Sequence, residues 1–220
     1  MSEPGAKVAG VGTAQGRPGS AEVHAVSVDD LRALIGRLAS QVRPVDGQEA
    51  ADQAGIVGWI NSGEPLFRRI APATPPKHLV SYFVPLDVAG RCVLLGDHRK
   101  SGLWLPPGGH VEEGEDPRST VEREAFEELG IEASFHPRAG GDRPFFLTAN
   151  PTLGEQSHVD VSMWFVLDCG RDAEIHPDPR EFRSVRWYNI DEQPHWPADQ
   201  FDPQMTRFIR KLKAACRETP

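Results

Sequence analysis

Apolar residues recur at helical spacing early in the chain and at strand spacing afterwards. Leu31, Leu34, Ile35 and Leu38 follow Ser27-Val28-Asp29-Asp30, a helix-start signal, and predict a first helix. Ala50, Ala54, Ile56, Val57 and Ile60 predict a second over roughly Asp46 to Ser62. Pro72, Pro75 and Pro76 then close a helical lead-in spanning residues 25–75. Before it, residues 1–24 hold Gly, Ala, Ser and Pro with almost no large apolar side chain, the composition of a disordered tail.

From His78 the period changes from about 3.6 to 2. Leu79 to Val84 and Arg91 to Leu95 read as strands joined by a turn near Ala89-Gly90, and Leu105 to His110 as a glycine-rich loop. Pro117 stands where a first-turn proline belongs, and Gly130 stops the helix that Leu129 ends. Glu132 to His136, Phe145 to Thr148, His158 to Asp168 and Ser184 to Tyr188 predict further strands, and Phe201 to Ala215 a closing helix on Met205, Phe208, Ile209 and Leu212. In the segment from His158, Val159, Val161, Met163, Phe165 and Leu167 share one face, leaving His158, Asp160, Ser162 and Trp164 on the other. The order of elements predicts an α/β fold with a mixed sheet between helices over residues 76–220.

Charge and cysteine usage narrow the function. The net charge of −8 excludes a broad nucleic-acid surface, which needs a basic face. It leaves room for a small phosphorylated ligand, because a divalent cation can bridge carboxylates to phosphate oxygens. Cys92, Cys169 and Cys216 show neither metal-ligand spacing nor a disulfide framework, which predicts a reducing, cytoplasmic setting. No run approaches the roughly 18 apolar residues of a membrane span, and the N-terminus lacks a secretory apolar segment. The eight histidines show no paired spacing with Cys or Glu of the kind that marks zinc sites.

The segment from Gly109 to Ile131 carries the chemistry. Glu124, Glu127 and Glu128 stand at i, i+3 and i+4, so their carboxylates share one helical face. Such a group repels itself, and a hard dication such as Mg²⁺ resolves the conflict. Val121, Ala125, Phe126 and Leu129 form the opposite arc that anchors this helix on a sheet, and Glu115 can pair with Arg123 to aim the cluster.

This segment resembles the Nudix box, G-x5-E-x7-R-E-U-x-E-E-x-G-U with U apolar. Gly109, Glu115, Arg123, Glu124, Glu127, Glu128 and Gly130 fill its fixed positions, with Ala125 and Ile131 at the apolar ones. The resemblance implies the Nudix α/β/α sandwich and Mg²⁺- or Mn²⁺-dependent hydrolysis of a diphosphate bond. Its substrate would be a nucleoside diphosphate linked to another moiety: a nucleoside triphosphate, nucleotide sugar or dinucleotide. It implies metal binding by Glu124, Glu127, Glu128 and the Gly109 carbonyl, orienting roles for Arg123 and Glu115, and a later acid, for which Glu181 is the candidate. A ligand-binding module of the same fold with little turnover is the alternative.

Outside the box, Arg99, Lys100, Trp104, His110, His158 and Asp160 are candidates for substrate contact. Each has a plainer reading: solvated turn residues for Arg99 and Lys100, core packing for Trp104, loop filler for His110, surface positions for His158 and Asp160. Oligomeric state is not legible, and a homodimer is the default for an enzyme of this size.

Overall fold

The computed structural model describes residues 27–71, 74–152, 157–192 and 195–217, so the predicted tail of residues 1–24 lies outside them. The lead-in forms two helices, α1 (Val28–Ser40) and α2 (Gly47–Asn61). Ser27 and Asp46 cap them by accepting from the N–H groups of Asp30 and Glu49. Arg32 donates to the carbonyls of Ile60 and Glu64, and Gln53 donates to those of Ala39 and Val42, so each helix closes the other's C-terminal end.

Seven strands follow in one mixed sheet: β1 (Lys77–Asp87), β2 (Cys92–His98), β3 (Trp104–Leu105), β4 (Gly108–His110), β5 (Phe146–Pro151), β6 (Val159–Asp168) and β7 (Phe182–Asn189). The long β1 organises them. One of its edges pairs along its length with β6 in parallel, from Lys77↔Val159 to Leu86↔Asp168. Its other edge is shared, with β4 antiparallel at Val80↔His110 and β2 antiparallel at Leu86↔Val93. Helix α3 (Pro117–Leu129) packs on one face of the sheet together with α1 and α2, and α4 (Met205–Arg217) covers the other. The result is the expected α/β/α sandwich with a helical N-terminal segment. The lead-in helices share one apolar cluster with the sheet, Ile35, Ile56 and Ile60 packing with Leu79, Phe83 and Leu147.

Three expectations change. Glu132 to His136 forms no strand, only a bridge between Phe135 and Leu167. β5 pairs with β6 only over Val159–Trp164, and beyond it the segment joins the end of β6 through two bonds alone among the described residues, His136 N–H to the Val166 carbonyl and Asp168 N–H to that of Ser134, too short a ladder for a strand. On the β6 face opposite Val161, Ser162 and Trp164 are buried, Trp164 fully covered beside Phe146 and Phe208 where α4 seals that side, while Asp160 is half-buried. The loop at residues 105–110 contributes β4, a short strand in the sheet. Phe126 does not anchor α3. It is 69% exposed, since one residue turns a helix by about 100° and carries it past the arc of Val121, Ala125 and Leu129.

The entry to α4 carries a pH dependence of its own. Asp202 accepts from the Gln204 N–H at 2.7 Å, and burial pushes its carboxyl up to about 6. A raised carboxyl pKa means that the fold prefers the neutral form. Stability is therefore full below the unfolded value of about 4 and falls as pH rises towards 6. Thermal melts at pH 4.5 and 7.5 are expected to show a smaller difference in Asp202→Asn, which keeps the cap, than in the wild type. An equal difference would remove Asp202 as the cause.

Candidate active site

The loop and helix that hold the acidic residues are fixed at both ends. Asp116 caps α3 by accepting from the Arg118 N–H, Pro117 occupies the first turn, and Gly130 ends the helix in the left-handed conformation at φ 69°. Helical geometry then grades the three glutamates. The buried arc runs through Val121, Ala125 and Leu129, and Glu128, Glu124 and Glu127 lie progressively further from it at about 100° per residue. Their exposures follow that order: 7% for Glu128, 13% for the Glu124 side chain and 57% for that of Glu127.

Arg123 holds the group together. Its guanidinium forks onto both Glu115 oxygens at 3.0 Å, donates to Glu124 at 2.7 Å and reaches the His110 carbonyl at 3.3 Å. Glu115 also accepts from the Glu112 N–H and the Thr120 hydroxyl, which ties the loop to the helix start. Although burial works against it, this set of donors keeps Glu115 below the ordinary carboxylate range.

Glu124 and Glu128 shift the other way. Burial raises Glu124 against the pull of Arg123. Burial pushes Glu128 up to about 8; its bond from the Gly108 N–H at 2.7 Å opposes that, while Glu124, Glu181 and Asp178 add to it. Two glycines make this approach possible. A Cβ on Gly109 would overlap the Glu124 carboxylate, and one on Gly108, at φ 139°, would overlap the Ser81 carbonyl.

The other candidates are spread around this core. Glu181 lies half-exposed in the loop before β7, 3.8 Å from the His98 ring, and acts on Glu128 through its charge. Arg99 is committed to that same loop, donating through its side chain to the Pro179 carbonyl and through its N–H to that of Glu181. Lys100 is exposed in the turn after β2. Trp104 packs edge-on to Tyr188 at 5.4 Å, with the Arg186 guanidinium 5.5 Å from its ring. Trp196, between β7 and α4, is buried against Tyr188 and Phe201.

His110, His158 and Asp160 converge on a second polar cluster, together with His78, which sequence reading did not select. The register explains the meeting. His78 faces Asp160 across β1 and β6, and His110 sits opposite Val80, two residues along β1 on the same face. Burial, with Arg68 nearby, pushes His110 down to about 3, so its ring is neutral.

The NUDIX domain model matches residues 76–212. Among curated proteins, the NAD-capped RNA hydrolase NudC of Actinobacillus succinogenes is 27% identical over 139 residues, 59% of this chain and 47% of that protein. The asymmetrical bis(5'-nucleosyl)-tetraphosphatase of Sus scrofa is 35% identical over 89 residues, 40% of this chain and 57% of that protein. The chain spans about half the length of these relatives. Among solved structures, a C. elegans Ap4A hydrolase binary complex aligns at 17% identity with a TM-score of 0.49, over 64% of this chain and 98% of that one. With the family model covering more than half of its length, and with every fixed box position assembled around α3, the chain belongs to the NUDIX family.

Proposed function

We propose that this protein hydrolyses a diphosphate bond in a small nucleotide-like substrate with Mg²⁺ or Mn²⁺ bound at α3. The observation that carries the reading is the trio Glu124, Glu127 and Glu128. They are graded from buried to exposed; Glu124 and Glu128 meet the glycine pair, and Arg123, pinned by Glu115, pairs with Glu124 and Glu127. Buried like charges are unfavourable on their own, and the raised pKa values of Glu124 and Glu128 express that cost. The donors are carboxylates and a backbone carbonyl, the oxygen set that hard dications prefer, so the residues fit the metal.

Glu124, Glu127, Glu128 and the Gly109 carbonyl would hold it. When bound, a dication lowers the pKa of a coordinated water and neutralises charge on the phosphate oxygens. Arg123 and Glu115 fix the orientation of the carboxylates. Glu181, exposed and within electrostatic reach of Glu128, is the candidate second acid. Trp104, Tyr188 and Arg186 offer aromatic faces and a cation beside the sheet for a base or sugar phosphate. Two matched relatives are named for NAD-capped RNA and bis(5'-nucleosyl) tetraphosphate, both of which contain phosphoanhydride bonds. With a net charge of −8, a small nucleotide suits this chain better than a long polyanion. None of the helices among the described residues is long and apolar enough to cross a membrane.

The test is a panel of nucleoside triphosphates, nucleotide sugars and dinucleotides with Mg²⁺, the products separated by chromatography. Turnover of one class, abolished by a chelator and restored by Mg²⁺ or Mn²⁺, is the expected result. Binding without turnover across the panel would favour the ligand-binding module instead.

A further inference from the structure

We propose that His78, His110, His158 and Asp160 form a second metal site, built for a transition-metal dication of the Zn²⁺ type. It differs from the carboxylates of α3 in both ligand chemistry and position. One nitrogen from each histidine and one carboxylate oxygen lie within 4.8 Å of one another. They come from the start of β1, from β4, from β6 and from the residue before β6.

The hydrogen-bond roles call for a positive centre. The His78 Nδ1 lies 2.9 Å from the Pro75 carbonyl, which can only accept, so Nδ1 carries the proton. In a neutral ring, Nε2 then presents a lone pair. It faces Asp160 Oδ1 at 3.3 Å, a second acceptor, and His158 Nε2 approaches the same oxygen at 3.3 Å. His78 Nε2, His110 Nε2 and Asp160 Oδ1 are all buried, and none has a hydrogen-bond partner among the described residues. Buried polar atoms without partners are costly, and one cation among them satisfies the whole group.

The spacing fits as well as the chemistry. A tetrahedral ion with bonds of roughly 2.0 Å places neighbouring ligand atoms about 3.3 Å apart. The two His–Asp distances already have that value, and side-chain rotation brings the wider separations in. The second ring nitrogens are also anchored, His78 on the Pro75 carbonyl and His158 against the Thr152 hydroxyl at 3.1 Å, as metal-bound histidines usually are. Three neutral imidazoles favour Zn²⁺, Co²⁺, Ni²⁺ or Cu²⁺ over Mg²⁺. Such an ion would pin β4 to β1 and β6, and β4 carries Gly109, which lies against Glu124. This inference stands apart from diphosphate hydrolysis and survives its failure.

The test uses the full chain, stripped with a chelator and titrated with Co²⁺ or Zn²⁺ in excess Mg²⁺. The expected result is one Co²⁺ equivalent with the intense visible bands of a tetrahedral ion, displaced by Zn²⁺. X-ray absorption of the Zn²⁺-loaded wild type is expected to show four N/O neighbours at about 2.0 Å with imidazole scattering. That readout needs no variant to fold. His158→Ala and Asp160→Asn should lose the bands, while Glu127→Gln keeps them. Octahedral Co²⁺ only, an absorption spectrum without imidazole scattering, bands that persist in both cluster variants, or bands lost in Glu127→Gln would each overturn the proposal.

Discussion

Replacing Lys211 by methionine is expected to lower the unfolding free energy by about 3–5 kcal/mol, the usual cost of stranding one partner of a buried ion pair. Lys211 Nζ lies 2.5 Å from Glu49 Oε1, with side-chain exposures of 9% and 0%. The ammonium also rests 5.1 Å and 5.6 Å from the ring centroids of Phe145 and Phe146, whose faces favour a cation. Burial pulls the Lys211 pKa down and Glu49 holds it up, so the charge persists because its partner is there. Without the ammonium, Glu49 keeps a bond from the Val45 N–H and the more distant charge of Arg207, but no cation in contact. The neighbouring pairs of Asp46 with Arg207 and Arg210 reach the same helices from a more exposed position and contribute less.

A double-mutant cycle with Glu49→Gln, read by urea unfolding, checks the cause. The double variant should recover much of the loss, because Gln keeps an acceptor for Val45 without a charge. A loss below about 1 kcal/mol in Lys211→Met would mean that the lysine reaches water. This pair joins α2 to α4, so the outcome also decides how firmly the lead-in is bound to the rest of the fold.

The chemistry legible in the sequence is the part encoded locally. Three glutamates at i, i+3 and i+4 share a helical face whatever surrounds the helix, and a proline before and a glycine after mark its ends. What the sequence hides depends on partners. Lys211 reads as polar beside Leu212, and Glu49 as one of two acids on α2; nothing local says that they meet. Phe126 reads as an anchor because its neighbours are apolar, but the sheet touches an arc that ends before it. The alternation of Ala133 and Phe135 suggests a strand, yet β5 occupies that edge of β6 as far as Trp164, and the short stretch beyond it gives the segment a single bridge at Phe135. The histidine cluster is the extreme case. It joins residues as distant as His78 and Asp160 through the register of a parallel pair, which the spacing of either strand alone does not fix.

Glu128→Gln is expected to reduce kcat/KM by about 10²–10⁴-fold, since metal-borne charge stabilisation contributes several kcal/mol to such transition states. Its effect on stability should have the opposite sign. Without a dication, burial first and the nearby Glu124, Glu181 and Asp178 next push Glu128 up to about 8. A carboxyl raised this far contributes most to the fold below its unfolded value of about 4, and the contribution is lost as pH climbs towards 8. Gln cannot ionise, and its carbonyl oxygen can still accept from the Gly108 N–H. At pH 8 with a chelator, the variant should therefore be more stable than the wild type by on the order of 1–3 kcal/mol, the gap closing near pH 5. Mg²⁺ should raise the melting temperature of the wild type more than that of the variant, because it binds the folded carboxylates. Phe126→Ala, two residues away but exposed, should stay within tenfold of wild-type activity, a change of about 1.4 kcal/mol or less. A purely structural glutamate would lose stability and activity together, so a variant that melts earlier and works less would count against this carboxylate as a metal ligand. A gain in one with a loss in the other is the signature of a charge held in place for chemistry at the expense of the fold.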